Sequence, residues 1–198
     1  DFAMVNSWPQ EHNSHLKATN VVYVPHHLAH ACNVMYQSDA KKSLIVSFDG
    51  GSDDGHFNIY LGDKPNTPVL IHQSQKDLCV PYAALGHYMN DIKKEPDIFK
   101  GNLTNAGKAM GLSSYGKRDD VLFDYVNKLY DKSDTNSVNK AHENWSEIFC
   151  GCNQTGDKAK DLAYANQYVF EKNFADIALP FIFKNLDREL QFAGGGAM

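Results

Sequence analysis

SLIVSFDGGSDDGHFNIYLG, residues 43–62, is the stretch whose reading decides the fold. Its first part, SLIVSFD (43–49), is an apolar, β-branched run of the kind that forms a buried strand. GGSDDG turns the chain, and HFNIYLG (56–62) alternates apolar and polar residues as a second strand. Together they predict a β-hairpin with a long tip that is both acidic and glycine-rich. VLIHQSQ (69–75) has the pattern of a third strand.

Working outward, VVYV (21–24) is a short β-branched strand, and Pro25 followed by LAHACNVMYQ reads as the first turn of a helix that runs to about Ser38. Three histidines, His26, His27 and His30, therefore stand at a strand-to-helix junction. On the other side of the hairpin, PYAALGHYMNDI (81–92) reads as helical. A stretch bearing Gly and Asn follows from Lys100 to Gly116, then DDVLFDYVNKLYDK (119–132) has apolar residues at helical spacing. Residues 133–153 are polar and read as a loop insertion. A near-helical pattern returns from Asp157 to about Leu186, with Pro180 expected to kink or end it, and ELQFAGGGAM (189–198) closes with a strand and a glycine turn. The first 20 residues are polar and irregular and read as a surface segment cut from a longer chain.

Composition narrows the function. The 198 residues are 42% hydrophobic and carry a net charge of -5, which favours a packed core and disfavours a nucleic-acid groove or an acidic membrane surface as partner. No apolar run approaches the roughly 20 residues that cross a bilayer. Cys32, Cys79, Cys150 and Cys152 form no CxxC pair and no secretory signal pattern opens the sequence, so a cytoplasmic setting is expected. Asn-x-Ser/Thr matches at Asn102, Asn144 and Asn153 carry no meaning without a secretory route.

Residues four apart on a helix share a face, so His26 and His30 can present two imidazole nitrogens to one ion while His27 turns aside. Taken alone, such a pair is more often an ordinary polar helix face or a hydrogen-bonded junction. Oxygen ligands could come from the hairpin tip, where Asp49, Asp53 and Asp54 flank Gly50 and Gly51. That tip is either a solvated acidic turn or a metal-bearing site, since carboxylates beside a phosphate need a cation between them. Lys108, in NAGKAMGLSSYGK, sits among small residues where its ammonium can reach an anion. No Walker A loop and no Gly-x-Ser-x-Gly elbow is present, and Cys32 falls on the inner side of its helix.

The ordered set HHLAHA (26–31), SFDGGSDDG (47–55), PYAALGHYM (81–89), GKAMGLSSYG (107–116), DLAYANQYVFEK (161–172) and LQFAGGGAM (190–198) resembles the O-carbamoyltransferase family of nodulation and antibiotic-tailoring enzymes. In this part that family is similar to the domain shared with the universal tRNA threonylcarbamoyl-transfer protein. The resemblance implies an actin/Hsp70/sugar-kinase-like (ASKHA) two-lobed α/β fold, present over residues 21–198 as a partial domain.

It also implies roles for residues. His26 and His30 would hold a metal, iron or zinc, whose third protein ligand is an aspartate beyond Met198, so that this stretch alone is expected to bind it weakly. Asp49, Gly50 and Gly51 would lie beside the phosphates of ATP, where magnesium could also bind. Lys108 and Gly111 match a KxMGL element lining the nucleotide cleft, and Gly194, Gly195 and Gly196 match the turn at the adenosine. Ala106 and Ser114 depart from the family pattern. The implied reaction is metal-assisted transfer of a carbamoyl group from carbamoyladenylate, made from carbamoyl phosphate and ATP, to an acceptor hydroxyl. Asp49 would position the metal or phosphate, and His27 would be the general base. The partners would be a small hydroxylated acceptor and a YrdC-like domain of the same chain, with no nucleic acid and no membrane. The alternatives are a non-catalytic ATP- and metal-binding module and tRNA threonylcarbamoyl transfer.

Overall fold

The computed structural model describes residues 2–5, 20–50, 52, 54–92, 98–132 and 153–197. In chain order these form β1 (Phe2–Val5), β2 (Asn20–Tyr23), α1 (His26–Gln37), β3 (Lys42–Phe48), β4 (Phe57–Asp63), β5 (Val69–Ser74), α2 (Cys79–Gly86), α3 (Ile98–Ser113), α4 (Asp120–Lys132), α5 (Gly156–Ile182) and β6 (Glu189–Ala193), followed by a 3-10 turn at Gly195–Ala197. The class is α/β with a mixed sheet. The chain divides into two compact units, residues 1–75 with 180–198, and residues 76–179.

The first unit is built on a four-stranded sheet in the order β5-β4-β3-β6. β3 and β4 are antiparallel, with Phe48 opposite Phe57, as the quoted stretch predicts, and β5 continues the meander. On its other edge β3 pairs in parallel with β6, Leu44 opposite Leu190 and Val46 opposite Phe192. β3 is an interior strand of the sheet, and every residue from Ser43 to Phe48 is buried. Ala31 and Met35 of α1 pack on Ile45 and Tyr60, with Leu28 and Val34 beside them, so the helix lays one apolar stripe on one face of the sheet. Elsewhere in the unit the ring of His72 meets Phe181, at the end of α5, 4.9 Å between centroids.

The second unit is helical. Tyr130 of α4 is fully buried and donates its hydroxyl to Asn166 Oδ1 of α5 at 2.9 Å, while Asn166 Nδ2 donates to the carbonyl of Tyr82 in α2 at 3.1 Å. These bonds satisfy the polar atoms that a buried tyrosine and asparagine bring with them. Asp119 accepts the N–H groups of Val121 and Leu122 at the start of α4, supplying the side-chain cap its first turn needs.

Four sequence expectations change. The opening is not irregular throughout, because Phe2–Val5 forms a strand parallel to β2. The stretch from Lys100 to Gly116, read only as bearing Gly and Asn, is mostly α3. Helix α2 stops at Gly86 instead of reaching residue 92, where Met89 bridges to Gln154. Pro180 neither ends α5 nor falls in its middle: it lies in the last turn, where the missing N–H costs a single helical bond. The loop insertion expected at 133–153 falls outside the described residues, apart from Asn153. No helix among the described residues is long and apolar enough to cross a membrane.

Candidate metal centre

Pro25 is the N-cap of α1 and brings no side-chain oxygen to it. The cap comes from the hairpin tip. Both carboxylate oxygens of Asp54 accept the backbone N–H of His27, at 3.2 and 3.0 Å, and the Ser52 hydroxyl donates to Asp54 Oδ1. An anion at a helix N-terminus satisfies N–H groups that have no partner within the helix and complements the helix dipole. Asp54 is thereby removed from the set of candidate metal ligands, and Asp53 and Gly51 lie outside the described residues.

With its start fixed on the hairpin, α1 points His26 and His30 toward the end of β3. Their Nε2 atoms are 3.1 Å apart, and each lies close to Asp49 Oδ2, at 3.3 Å from His26 and 3.2 Å from His30. Among the described residues these are the one group of three His, Cys, Asp or Glu side chains whose ligand atoms converge. A triangle with such edges has its centre about 1.9 Å from each corner, so an ion at the ~2.0–2.2 Å typical of His and carboxylate ligands sits just off the plane with its far side open. The side chains keep 19%, 33% and 25% of their surface, so the point is reachable from solvent. At most one of the two Nε2 atoms can carry a proton toward the other, and with both protons on Nδ1 three lone-pair atoms face one point. A cation resolves that arrangement, and the donor set of two imidazoles and a carboxylate suits iron or zinc.

Asp49 is prepared for this role by backbone. Its Oδ1 accepts the Gly50 N–H at 2.7 Å, and its Oδ2 accepts the Gly195 N–H at 3.0 Å. Burial pushes its carboxyl up, yet the N–H groups of Gly195 and Gly50 and the His26 ring together outweigh that and hold it below the usual range. The carboxylate therefore stays ionised at neutral pH. The approach of Gly195 depends on parallel pairing of β3 with β6, which delivers the glycine turn beside Asp49. Gly194 has φ +91, and a Cβ there would stand 2.3 Å from the Phe48 carbonyl oxygen. Only glycine fits.

His27 does something else. It is fully buried, its Nε2 donates to the Gly55 carbonyl at 3.0 Å, and its Nδ1 accepts the Ser47 hydroxyl at 2.7 Å. A carbonyl can only accept, so Nε2 carries a proton, and the neutral tautomer leaves Nδ1 to accept from Ser47. Burial is the main cause that lowers its pKa, which agrees with that state. The structure places His27, the expected general base, with both ring nitrogens hydrogen-bonded and the ring out of contact with solvent. It ties α1 to the hairpin.

The structure thus brings together His26, His30, Asp49, Gly50, Gly194 and Gly195. Gly196 lies in the 3-10 turn closed by the bond from Ala197 N–H to the Gly194 carbonyl. Lys108 and Gly111 are on α3, in the second unit, where the Lys108 ammonium approaches the Ile92 carbonyl at 3.4 Å. Sequence reasoning missed Asp54 as a cap and Ser47 as the partner of His27. A helix start without Ser, Thr, Asp or Asn at its N-cap signals a cap from elsewhere, and a serine inside an otherwise apolar strand signals a buried hydrogen bond.

The profile of the family described as "Carbamoyltransferase N-terminus" matches residues 10–178. The chain belongs to the carbamoyltransferase N-terminal family. The match runs from ahead of α1, through the hairpin that carries Asp49, to near the end of α5. An uncharacterized protein of Methanocaldococcus jannaschii is 32% identical over 111 residues, which are 54% of this chain and 20% of that protein's length. The chain therefore spans about a fifth of that relative's length.

Proposed function

We propose that the protein transfers a carbamoyl group from carbamoyladenylate, formed from carbamoyl phosphate and ATP, to the hydroxyl of a small acceptor. The observation that carries the reading is the convergence of His26 Nε2, His30 Nε2 and Asp49 Oδ2 on one point in a chain of the carbamoyltransferase family. His26, His30 and Asp49 would hold iron or zinc, and an aspartate beyond Met198 would add a further ligand. Such an ion, when bound, supplies a Lewis acid that polarises a carbonyl or lowers the pKa of a coordinated oxygen.

The chain's own residues prepare the rest. The backbone N–H groups of Gly50 and Gly195 keep Asp49 ionised and aimed. The turn at Gly194, Gly195 and Gly196 is proposed to meet the adenosine of a nucleotide, and Gly50 and Gly51 its phosphates. Lys108 and Gly111 are proposed as further nucleotide contacts, within an actin/Hsp70/sugar-kinase-like fold. His27 holds the helix that carries the two ligands and does not move a proton.

The test has two arms. Titration with iron(II), zinc and cobalt(II) should show one site per chain that is lost, by more than about 100-fold in affinity, in His26→Ala and His30→Ala, since even outer partners of ligands cost 10–100-fold. The protein joined to a YrdC-like domain, given ATP, carbamoyl phosphate and hydroxylated acceptors, should release AMP, pyrophosphate and phosphate and yield a carbamate ester. Metal binding without AMP release would leave a non-catalytic ATP- and metal-binding module.

A further inference from the structure

Asp54 touches none of the three converging atoms, yet it is held by more of the hairpin than any of them. Its two carboxylate oxygens accept the N–H of His27, which lies between the two ligand histidines in the first turn of α1. Its own N–H is bonded to Ser52 Oγ at 3.2 Å. Its carbonyl oxygen accepts two side-chain amides, Asn58 Nδ2 from β4 and Gln73 Nε2 from β5, both at 2.7 Å. The next residue, Gly55, has φ +101 and receives the His27 Nε2 proton on its carbonyl. Residues 54 and 55 are therefore fixed to two strands of the sheet, and α1 is fixed to residues 54 and 55. Because Pro25 offers α1 no cap of its own, the rotation and axial position of its first turn are set from the hairpin.

A two-histidine ligand pair on one helix face is sensitive to that setting. Turning the helix by one residue's worth, about 100°, moves both rings off the Asp49 carboxylate, and a shift of a few tenths of an ångström changes ligand distances that tolerate about 0.2 Å. We infer that Asp54 is the positioning residue of the metal centre: its carboxylate, by capping α1 across the hairpin, sets where His26 and His30 meet Asp49. This rests on the metal reading above and goes beyond it by assigning the part of the hairpin that fixes the ligand geometry. The carboxylate acts here as a pair of acceptor oxygens for a backbone N–H. Its negative charge adds attraction to the helix dipole.

That division predicts an ordered series. In Asp54→Asn one acceptor oxygen remains for the His27 N–H, so cobalt(II) affinity, read from its visible absorption on the full chain, should stay within about threefold of the parent. In Asp54→Ala no acceptor remains, and affinity should fall by about 10–100-fold, the range for outer partners of metal ligands. Far-UV circular dichroism and the thermal midpoint of each variant show that the chain is folded. Should Asp54→Ala fail to fold, Asp54→Ser, with a shorter acceptor, takes its place and should lie between the other two. Without any metal, amide hydrogen exchange at His27 should speed up in Asp54→Ala and not in Asp54→Asn. If Asp54→Ala is folded and binds cobalt(II) as the parent does, Asp54 is not a positioning residue. Equal losses in Asn and Ala would also overturn the inference, since the acceptor oxygen would then be irrelevant. If the parent binds no cobalt(II) while the exchange series holds, the cap stands but the metal reading fails, and the positioning role for a metal fails with it.

Discussion

Asp49 and Asp54 belong to one acidic tip, yet their carboxylates do unrelated work, and single substitutions should separate those roles. Asp49→Asn replaces an ionised ligand by a neutral amide and should lower metal affinity by at least about tenfold, measured by titration calorimetry, because a cation held there would lose its only anionic partner among the described residues. The two adjacent glycines behave differently from each other. Gly194→Ala forces a left-handed backbone and places a methyl 2.3 Å from the Phe48 carbonyl, so thermal unfolding should show a loss of about 1–3 kcal/mol or more. Gly195→Ala meets the Asp49 Oδ1 at 3.0 Å and has no positive φ to oppose it. Its effect should appear in metal affinity and not in the melting temperature. At this scale the sequence is informative for His26 and His30, because a four-residue spacing is a helix face wherever the helix sits. It says little about Asp49, whose position depends on Gly195, 146 residues away. It misleads for His27, since whether a side chain 100° around the helix meets water or a sheet is a tertiary fact.

Elements show the same division between local pattern and packing. The hairpin β3–β4, the strand β5 and the helices α1, α4 and α5 follow from periodicity. Helix α3 does not, because Gly107 and Gly111 each carry a propensity cost of up to about 1 kcal/mol that its packing overrides, with Asn105 and Ala109 buried. A Cβ at either glycine meets nothing within 4 Å. Gly107→Ala and Gly111→Ala should therefore each stabilise the chain by about 0.5–1 kcal/mol in urea unfolding. If Gly111 contacts nucleotide as proposed, its variant alone should also bind ATP more weakly. The α1–sheet contact carries a pH signature. Tyr60 is pushed up to about 12, chiefly by burial, against the ordinary value near 10. The folded state favours the neutral phenol, so its contribution to stability is complete below pH 10 and is lost as pH rises from there toward 12. Urea unfolding across that window should show a shallower alkaline decline in Tyr60→Phe than in the parent.

For the molecule as a whole, the first unit is discontinuous: its opening segment and its closing segment are separated in sequence by the entire second unit. The candidate metal centre draws on three places within it, the first turn of α1, the hairpin tip and the turn after β6. A chain truncated before Glu189 keeps His26, His30 and Asp49 but loses β6 and the Gly195 N–H, and it should lose measurable cobalt(II) binding. The closing strand itself is legible in the sequence. Its parallel place beside β3 is not, since that pairing is long-range and nothing near Leu190 names its partner. The same pairing has a consequence for biosynthesis. As the chain leaves the ribosome, β3 can zip with β4 at once, but its other edge waits until more than a hundred further residues have emerged. During that interval the nascent protein exposes an apolar strand edge to its surroundings, a template for mispairing and a natural target for a chaperone. Pulse-labelling hydrogen exchange during refolding should find the β3–β4 amides protected before those of β6, with the metal site the last part of the first unit to mature.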